Sequence, residues 1–103
     1  MLKHDELISE LFSALAHPYR LRIVEYLRSG ERCQCELPDV LQAEQSNISR
    51  HVKVLVAAGV IRQRKDGIKT MLRVRDPEVF KLIDASQDIL REYIAVRMTA
   101  LNE

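Results

Sequence analysis

No apolar run in the 103-residue chain approaches the ~18 residues that a membrane-crossing helix needs, so no membrane partner is expected. There are only three glycines, too few and too scattered for a glycine-rich phosphate loop. No serine or cysteine has a matched base and orienting acid, and no metal-hydrolase spacing occurs, so an enzyme is not expected. Met1 to Glu10 mixes acids with apolar residues and lacks the core of a signal peptide, which predicts a cytoplasmic location. Cysteine is almost missing as well: Cys33 and Cys35 stand one residue apart. Thiols that close would shut a tiny strained loop, a poor structural disulfide. In a reducing compartment they read better as ligands or redox groups. What remains is 47% hydrophobic and 30% charged, values of a globular chain rather than a disordered one. The length suits a single domain with a modest core, of the kind often completed by dimerisation.

Acids are scarce in one place. Between Ser46 and Arg75 only Asp66 is acidic, against Arg50, Lys53, Arg62, Arg64, Lys65, Lys69, Arg73 and Arg75. The stretch carries about +7 while the whole chain carries +1, leaving about −6 elsewhere. A near-neutral protein that gathers its positive charge into one contiguous third is suited to meet a polyanion with that third.

Hydrophobic spacing predicts the elements. Leu7, Ile8, Leu11, Phe12 and Leu15 form one stripe on a helix over about 5–16. Pro18 opens a second helix that carries Leu21, Ile23, Val24 and Leu27 and stops at Ser29-Gly30. A short third helix is expected from Cys35 to Gln42, with Pro38 tolerable in its first turn. A fourth runs over about 45–58, with Ile48, Val52, Leu55 and Val56 inward, and ends at Gly59. Two strands, Val60 to Arg64 and Ile68 to Val74, flank a turn at Lys65-Asp66-Gly67 and make a wing over about 60–75. Asp76-Pro77 then caps a helix over about 77–100. The expected fold is mainly α with a β-hairpin, in the order α-α-α-α-β-β-α: one winged helix-turn-helix domain over 1–103. Both terminal helices are more apolar than so small a domain can cover, which predicts a homodimer through them.

The fourth helix has the side chains that major-groove reading needs. Ser46, Arg50 and Lys53 fall opposite the apolar face at about 100° per residue, with Asn47 and Ser49 flanking. Short polar groups near the start (Gln45, Ser46, Asn47, Ser49) let the backbone approach; Gln and Asn can pair with adenine, and Arg50 with guanine. Lys53 suits a backbone phosphate, and Arg64, Lys65 and Lys69 around the hairpin tip suit flanking phosphates or the minor groove. His51 is open between a DNA contact and a locally bonded surface histidine. The expected partner is double-stranded DNA, with a partly palindromic site if the protein is two-fold.

These runs together resemble the ArsR/SmtB-type winged-helix repressors that respond to metals and metalloids. The matching segments are Leu15-Ala16-His17-Pro18-Tyr19-Arg20-Leu21-Arg22-Ile23, Glu31-Arg32-Cys33-Gln34-Cys35-Glu36-Leu37, Gln45-Ser46-Asn47-Ile48-Ser49-Arg50-His51-Val52, and Ala58-Gly59-Val60-Ile61 leading into Arg64-Lys65-Asp66-Gly67. The resemblance implies a homodimer that leaves its operator when an effector binds. It also implies the arsenical-resistance subtype, with Cys33 and Cys35 as ligands of trivalent arsenic or antimony and no permanent cofactor. Thiolates suit such soft ions on chemical grounds too. On a regular helix residues two apart diverge by about 200°, so clamping one ion predicts unwinding of the third helix's start. Two departures stand out. Pro38 occupies the place of a third thiol, leaving the third position to a small exogenous thiol, solvent or His4, and Met71 replaces an aromatic residue frequent in the second wing strand. The acids Asp84, Asp88 and Glu92, where the family can hold zinc-like ions, lack histidines and read as a solvated face. His17 reads as a capping or packing residue. Cadmium, lead or thiol oxidation are alternative stimuli, and a winged-helix interaction module without DNA binding is the alternative class.

Overall fold

Three apolar positions a helical turn apart, Ile48, Val52 and Leu55, decide how this chain packs. All three are buried, and the helix that carries them touches helices before it and a strand after it. The computed structural model describes residues Lys3 to Asn102. Within them the order is α1 (His4–Leu15), α2 (Pro18–Tyr26), β1 (Arg32–Cys33), a 3-10 turn (Gln34–Glu36), α3 (Leu37–Leu41), α4 (Gln45–Ala57), β2 (Ile61–Asp66), β3 (Lys69–Val74) and α5 (Glu78–Asn102). This is a winged helix-turn-helix. Its core joins Ile23, Val24 and Leu27 of the second helical segment to Leu37, Leu41, Ile48, Leu55, Ile61, Leu72 and Ile83. Each such side chain removed from water contributes roughly 1.5–3 kcal/mol.

Local chemistry sets the element ends. The His17 ring caps α2, its Nδ1 accepting from the Tyr19 N–H at 3.0 Å, and Pro18 follows where a missing N–H leaves nothing unpaired. The Arg20 guanidinium donates to the carbonyls of Ala14 (2.6 Å) and Ser13 (3.3 Å), closing the end of α1. Asp76 caps α5 through the Glu78 N–H at 3.0 Å. At the end of α4 the Val60 N–H returns to the Leu55 carbonyl and the Gly59 N–H to that of Val56, both at 3.0 Å. This crossed pair requires a left-handed residue between, and Gly59 supplies it with φ +78°. The apolar contact that completes such a stop is here two fully buried side chains, Leu55 and Val60.

The sheet departs from expectation in two ways and the third helix in one. It has three strands, in the order β1-β3-β2, all antiparallel. β1 is two residues long, with Arg32 opposite Leu72 and Cys33 opposite Met71. The hairpin runs two residues further than expected: Asp66 pairs with Lys69, and the turn is Gly67-Ile68, with Gly67 at φ +64°. A two-residue loop with a positive φ at its first position matches the twist of the strands, and only glycine adopts that position without strain. The third helix begins at Leu37 rather than Cys35. Cys35 lies in the 3-10 turn ahead of it, which lets Pro38 sit in the first turn of the helix.

The terminal helices keep only part of their apolar surface inside. α1 buries Ala14 and Leu15 but exposes Leu7, Ile8 and Phe12. α5 packs Val79 and Ile83 on the core and is held there by Arg28, which bonds Asp84 at 2.9 Å and stacks on Phe80. From Ile89 onward its apolar residues, Leu90, Tyr93, Ile94 and Leu101 among them, are exposed.

Replacing Gly59 by alanine forces a side chain into the left-handed region, where each residue costs roughly 1–2 kcal/mol. Urea unfolding of Gly59→Ala is expected to show a loss of that size with an unchanged slope; equal stability would mean that the stop of α4 does not depend on this conformation.

Candidate nucleic-acid interface and thiol site

Burial of one face of α4 leaves the other face polar by geometry. Gln45, Ser46, Arg50 and Lys53 are exposed, and Asn47 and Ser49 are half-buried at its margins. Arg50 Nη2 reaches back to the Asn47 side-chain oxygen Oδ1 at 3.4 Å. Glu44 precedes the helix without a side-chain cap, so the first N–H groups of α4 have no such partner. Those donors, at the positive end of the helix dipole, are suited to a phosphate.

His51 does not join this polar face. Its ring is half-buried against α2, with its centroid 4.3 Å from that of His17 and 5.7 Å from that of Tyr19. Arg20 Nη1 lies 3.1 Å from His51 Nδ1. Arginine can only donate, so the imidazole must accept there as a neutral ring. This favours the locally bonded histidine over the DNA contact, because Arg20 and His17 lie inward of the helix. Burial first, then the charges of His17, Arg20 and Arg50, hold the His51 imidazole below its ordinary value.

The wing is also more committed than its composition suggests. Arg64 makes a two-pronged pair with Glu31, Nε at 2.9 Å and Nη2 at 2.6 Å, which holds the Glu31 carboxyl below its usual range. Arg64, expected as a free phosphate contact, therefore spends its fork on the loop before β1. Lys65 donates to the Thr70 hydroxyl at 2.8 Å. Lys69 is exposed at the tip, and Arg62 and Arg73, directly opposite each other, add charge on the Arg64 face. Glu31, the partner of Arg64 and distant from it in sequence, was not legible.

The cysteines sit where β1 gives way to the 3-10 turn. Cys33 is buried and Cys35 exposed, their Cα atoms 5.1 Å apart, and their sulfurs are joined as a disulfide. Two sequence expectations change here. The short loop does close, because the strand-to-turn bend brings the two residues within the usual Cα range of disulfides. Nor must a regular helix unwind for the sulfurs to meet, since neither cysteine lies on α3. The turn is fixed by Glu36, whose carboxylate accepts from the Cys33 N–H at 3.0 Å and from the Tyr26 hydroxyl at 2.7 Å. These bonds lower the Glu36 carboxyl below its usual range, the tyrosine contact foremost, and the same contact raises the Tyr26 hydroxyl. Arg32 stacks over the Tyr26 ring at 4.8 Å.

A cleft of about 430 Å³ opens over the sulfurs, walled by Pro38, by Gln45 and Ile48 of α4, and by Ile68, Lys69 and Thr70 of the wing. Thus one turn borders both α4 and the wing. Its donor set suits a soft thiophilic ion once the sulfurs are reduced. Among the described residues no group of three or more His, Cys, Asp and Glu side chains that could hold a metal ion comes together. Of the three α5 acids singled out in the sequence, two are engaged elsewhere, Asp84 with Arg28 and Asp88 with Arg91.

The profile of the family described as bacterial regulatory protein, arsR family, matches residues 17–63. The HTH-type transcriptional repressor SmtB of Mycobacterium tuberculosis is 39% identical over 74 residues, covering 72% of this chain; the chain spans 55% of that repressor's length. The uncharacterized HTH-type transcriptional regulator Rv0081 of the same organism is 32% identical over 99 residues, 95% of this chain and 87% of its own. The arsenical resistance operon repressor of Staphylococcus xylosus is 34% identical over 83 residues, 81% of this chain and 79% of its own. The crystal structure of Rv0081 superposes with a TM-score of 0.79 at 33% identity over 95% of this chain and 99% of that one.

Because the folded protein binds a proton at His51 less tightly than the unfolded chain does, the stability this residue contributes is complete above the ordinary imidazole value of 6.5. It is lost as pH falls through the lower folded value. Unfolding midpoints followed from pH 7.5 to about 5 are expected to drop more steeply in the wild type than in His51→Gln; parallel curves would show that His51 is equally basic folded and unfolded.

Proposed function

Because the chain belongs to the arsR family of bacterial regulatory proteins, we propose that it is a homodimeric DNA-binding transcriptional repressor, released from its operator when trivalent arsenic or antimony engages Cys33 and Cys35. The observation that carries this reading is the position of the two sulfurs. They converge on one turn whose cleft is walled by both α4 and the wing. The likeness to an arsenical resistance operon repressor supports the choice of effector. A soft ion held there supplies bonds to sulfur that only the reduced pair can accept. The chain's own part is to hold the turn through Glu36, to keep Cys35 open to solvent, and to present Gln45, Ser46, Asn47, Ser49, Arg50 and Lys53 to the groove, with Lys65 and Lys69 at flanking phosphates. The third position at the ion is left to a small exogenous thiol, solvent or His4.

Coupling requires that the ion favour a conformer that fits DNA less well. Two paths out of the turn support this. Cys33 pairs with Met71 in the wing, and Gln34 extends from the same turn towards α4. A second reading is favoured by the joined sulfurs: oxidation of the thiol pair as the stimulus, with two electrons passing to an oxidant as the S–S bond forms.

Dimerisation is supported by the exposed apolar faces of α1 and α5. Phe12 is 52% and Tyr93 55% exposed, with Leu7, Ile8, Leu90 and Ile94 alongside. Covering about half a dozen such side chains at ~1.5–3 kcal/mol each competes with the cost of association.

Two measurements test these readings. In reductant, arsenite is expected to weaken binding to a duplex that the protein enriches from a random pool by roughly 5–150-fold, the usual range of such coupling. Cys33→Ser and Cys35→Ser are expected to bind the duplex and ignore arsenite. Unchanged anisotropy with arsenite in the reduced wild type discards the arsenical reading, and release by an oxidant alone selects the redox one. The logarithm of the affinity is expected to fall linearly with that of salt, by about 0.9 per phosphate contact; a flat line would instead mark an interaction module without DNA binding.

Separately, Phe12→Glu with Ile94→Glu is expected to shift sedimentation from dimer to monomer. A dimer that survives both charges places the interface elsewhere.

A further inference from the structure

Gln34 stands between the two cysteines, yet neither the DNA contacts nor the thiol chemistry described above employs its side chain. It occupies the first position of the 3-10 turn and is half-buried. Its amide Nε2 crosses to α4 and donates to the Ser49 hydroxyl at 3.5 Å. Ser49 lies between buried Ile48 and exposed Arg50, at the margin of the polar face. The opposite side of the turn is clamped: Glu36 holds the Cys33 N–H and the Tyr26 hydroxyl, and Cys33 is paired to β3. A displacement of the sulfurs is therefore resisted on the strand side and free to express itself on the side of Gln34.

We propose that Gln34 is the positioning residue that carries the state of the thiol pair to the reading helix, acting through Ser49. This rests on the sensing role assigned above to Cys33 and Cys35. Once reduced, the two sulfurs are no longer tied to each other, and an ion that binds them draws both to a metal–sulfur bond length from itself. The residue between them must move with that change. A hydrogen bond already at the outer limit of length does not survive a shift of a few tenths of an ångström. Ser49 then loses its anchor, and α4 settles in a pose set by its apolar face and the Arg20–His51 bond. The amide is essential to this role, because its N–H is the link; a side chain of equal length without donors fills the same space and transmits nothing.

The test uses Gln34→Met, Ser49→Ala and the double variant in the full chain. Duplex affinity is measured with and without arsenite under reductant, and arsenite binding separately by thiolate absorbance. Gln34→Met is expected to bind arsenite within about twofold of wild type, while its arsenite-driven release shrinks by roughly three- to tenfold, the worth of one hydrogen bond to the coupling. The double variant is expected to match Ser49→Ala in both affinity and release. Wild-type release by Gln34→Met with arsenite bound overturns the proposal. So does loss of arsenite binding in that variant, which would make Gln34 part of the ligand site. Additive losses in the double variant overturn it as well. If arsenite fails to release the wild-type protein, the effector reading falls by itself. The Gln34–Ser49 link then stands on the ligand-free affinities: non-additive losses support it and additive ones end it.

Discussion

The anchoring of α4 by Ile48, Val52 and Leu55 is the constraint from which the rest of this molecule follows. With that face sealed, a helix of this length has only one way to turn Gln45, Ser46, Arg50 and Lys53, and that is outward. The crossed hydrogen bonds around Gly59 end the helix and send the chain into β2, so the wing stands beside the reading helix by covalent necessity. Arg20 extends the same anchoring to its far neighbours, tying the end of α1 to His51 on α4 through one guanidinium. Rigid placement of polar groups on a packed element is what groove reading demands, since base contacts tolerate little error in pose.

The thiol turn gains its importance from what surrounds it rather than from its length. Two residues of β1 suffice to stitch it to β3, and one carboxylate, Glu36, ties it to α2 through Tyr26. The cleft above it is shared by α4 and the wing. A chemical event at Cys33 and Cys35 is thus one hydrogen bond from the reading helix and one strand pair from the hairpin. The proposed coupling rests on that proximity and asks for no long path through the core.

Much of this was legible in the sequence, and the remainder was not for identifiable reasons. α4 announces itself because its apolar residues recur at the helical period and a glycine follows. The hairpin is legible because alternation brackets a glycine, although its two-residue turn lay slightly beyond the expected position. β1 carries no periodic signal in two residues and exists only because β3 pairs with it. The inward set of His51 depends on His17 and Arg20, and the capture of Arg64 depends on Glu31. All of these are contacts between residues far apart along the chain, which no local pattern encodes. The same holds for the closing of the cysteines: spacing argues against it, and the bend between strand and turn permits it. The charge pattern showed which third of the chain is basic, but only the fold reveals that Arg64 is paired with Glu31.

The strand order leaves β2 at the rim of the sheet, with an unpaired row of backbone donors and acceptors along its outer side. Such a rim invites a foreign strand to add itself. Here Arg62, Arg64, Lys65 and Asp66 crowd it with charge, and like-charged hairpins repel one another before their backbones meet. The charge of the wing therefore guards this edge, apart from the part proposed for it in binding DNA. Stripping its charge to weaken attraction for a polyanion would also unguard a sticky border, so that loss of function and onset of clumping would arrive together.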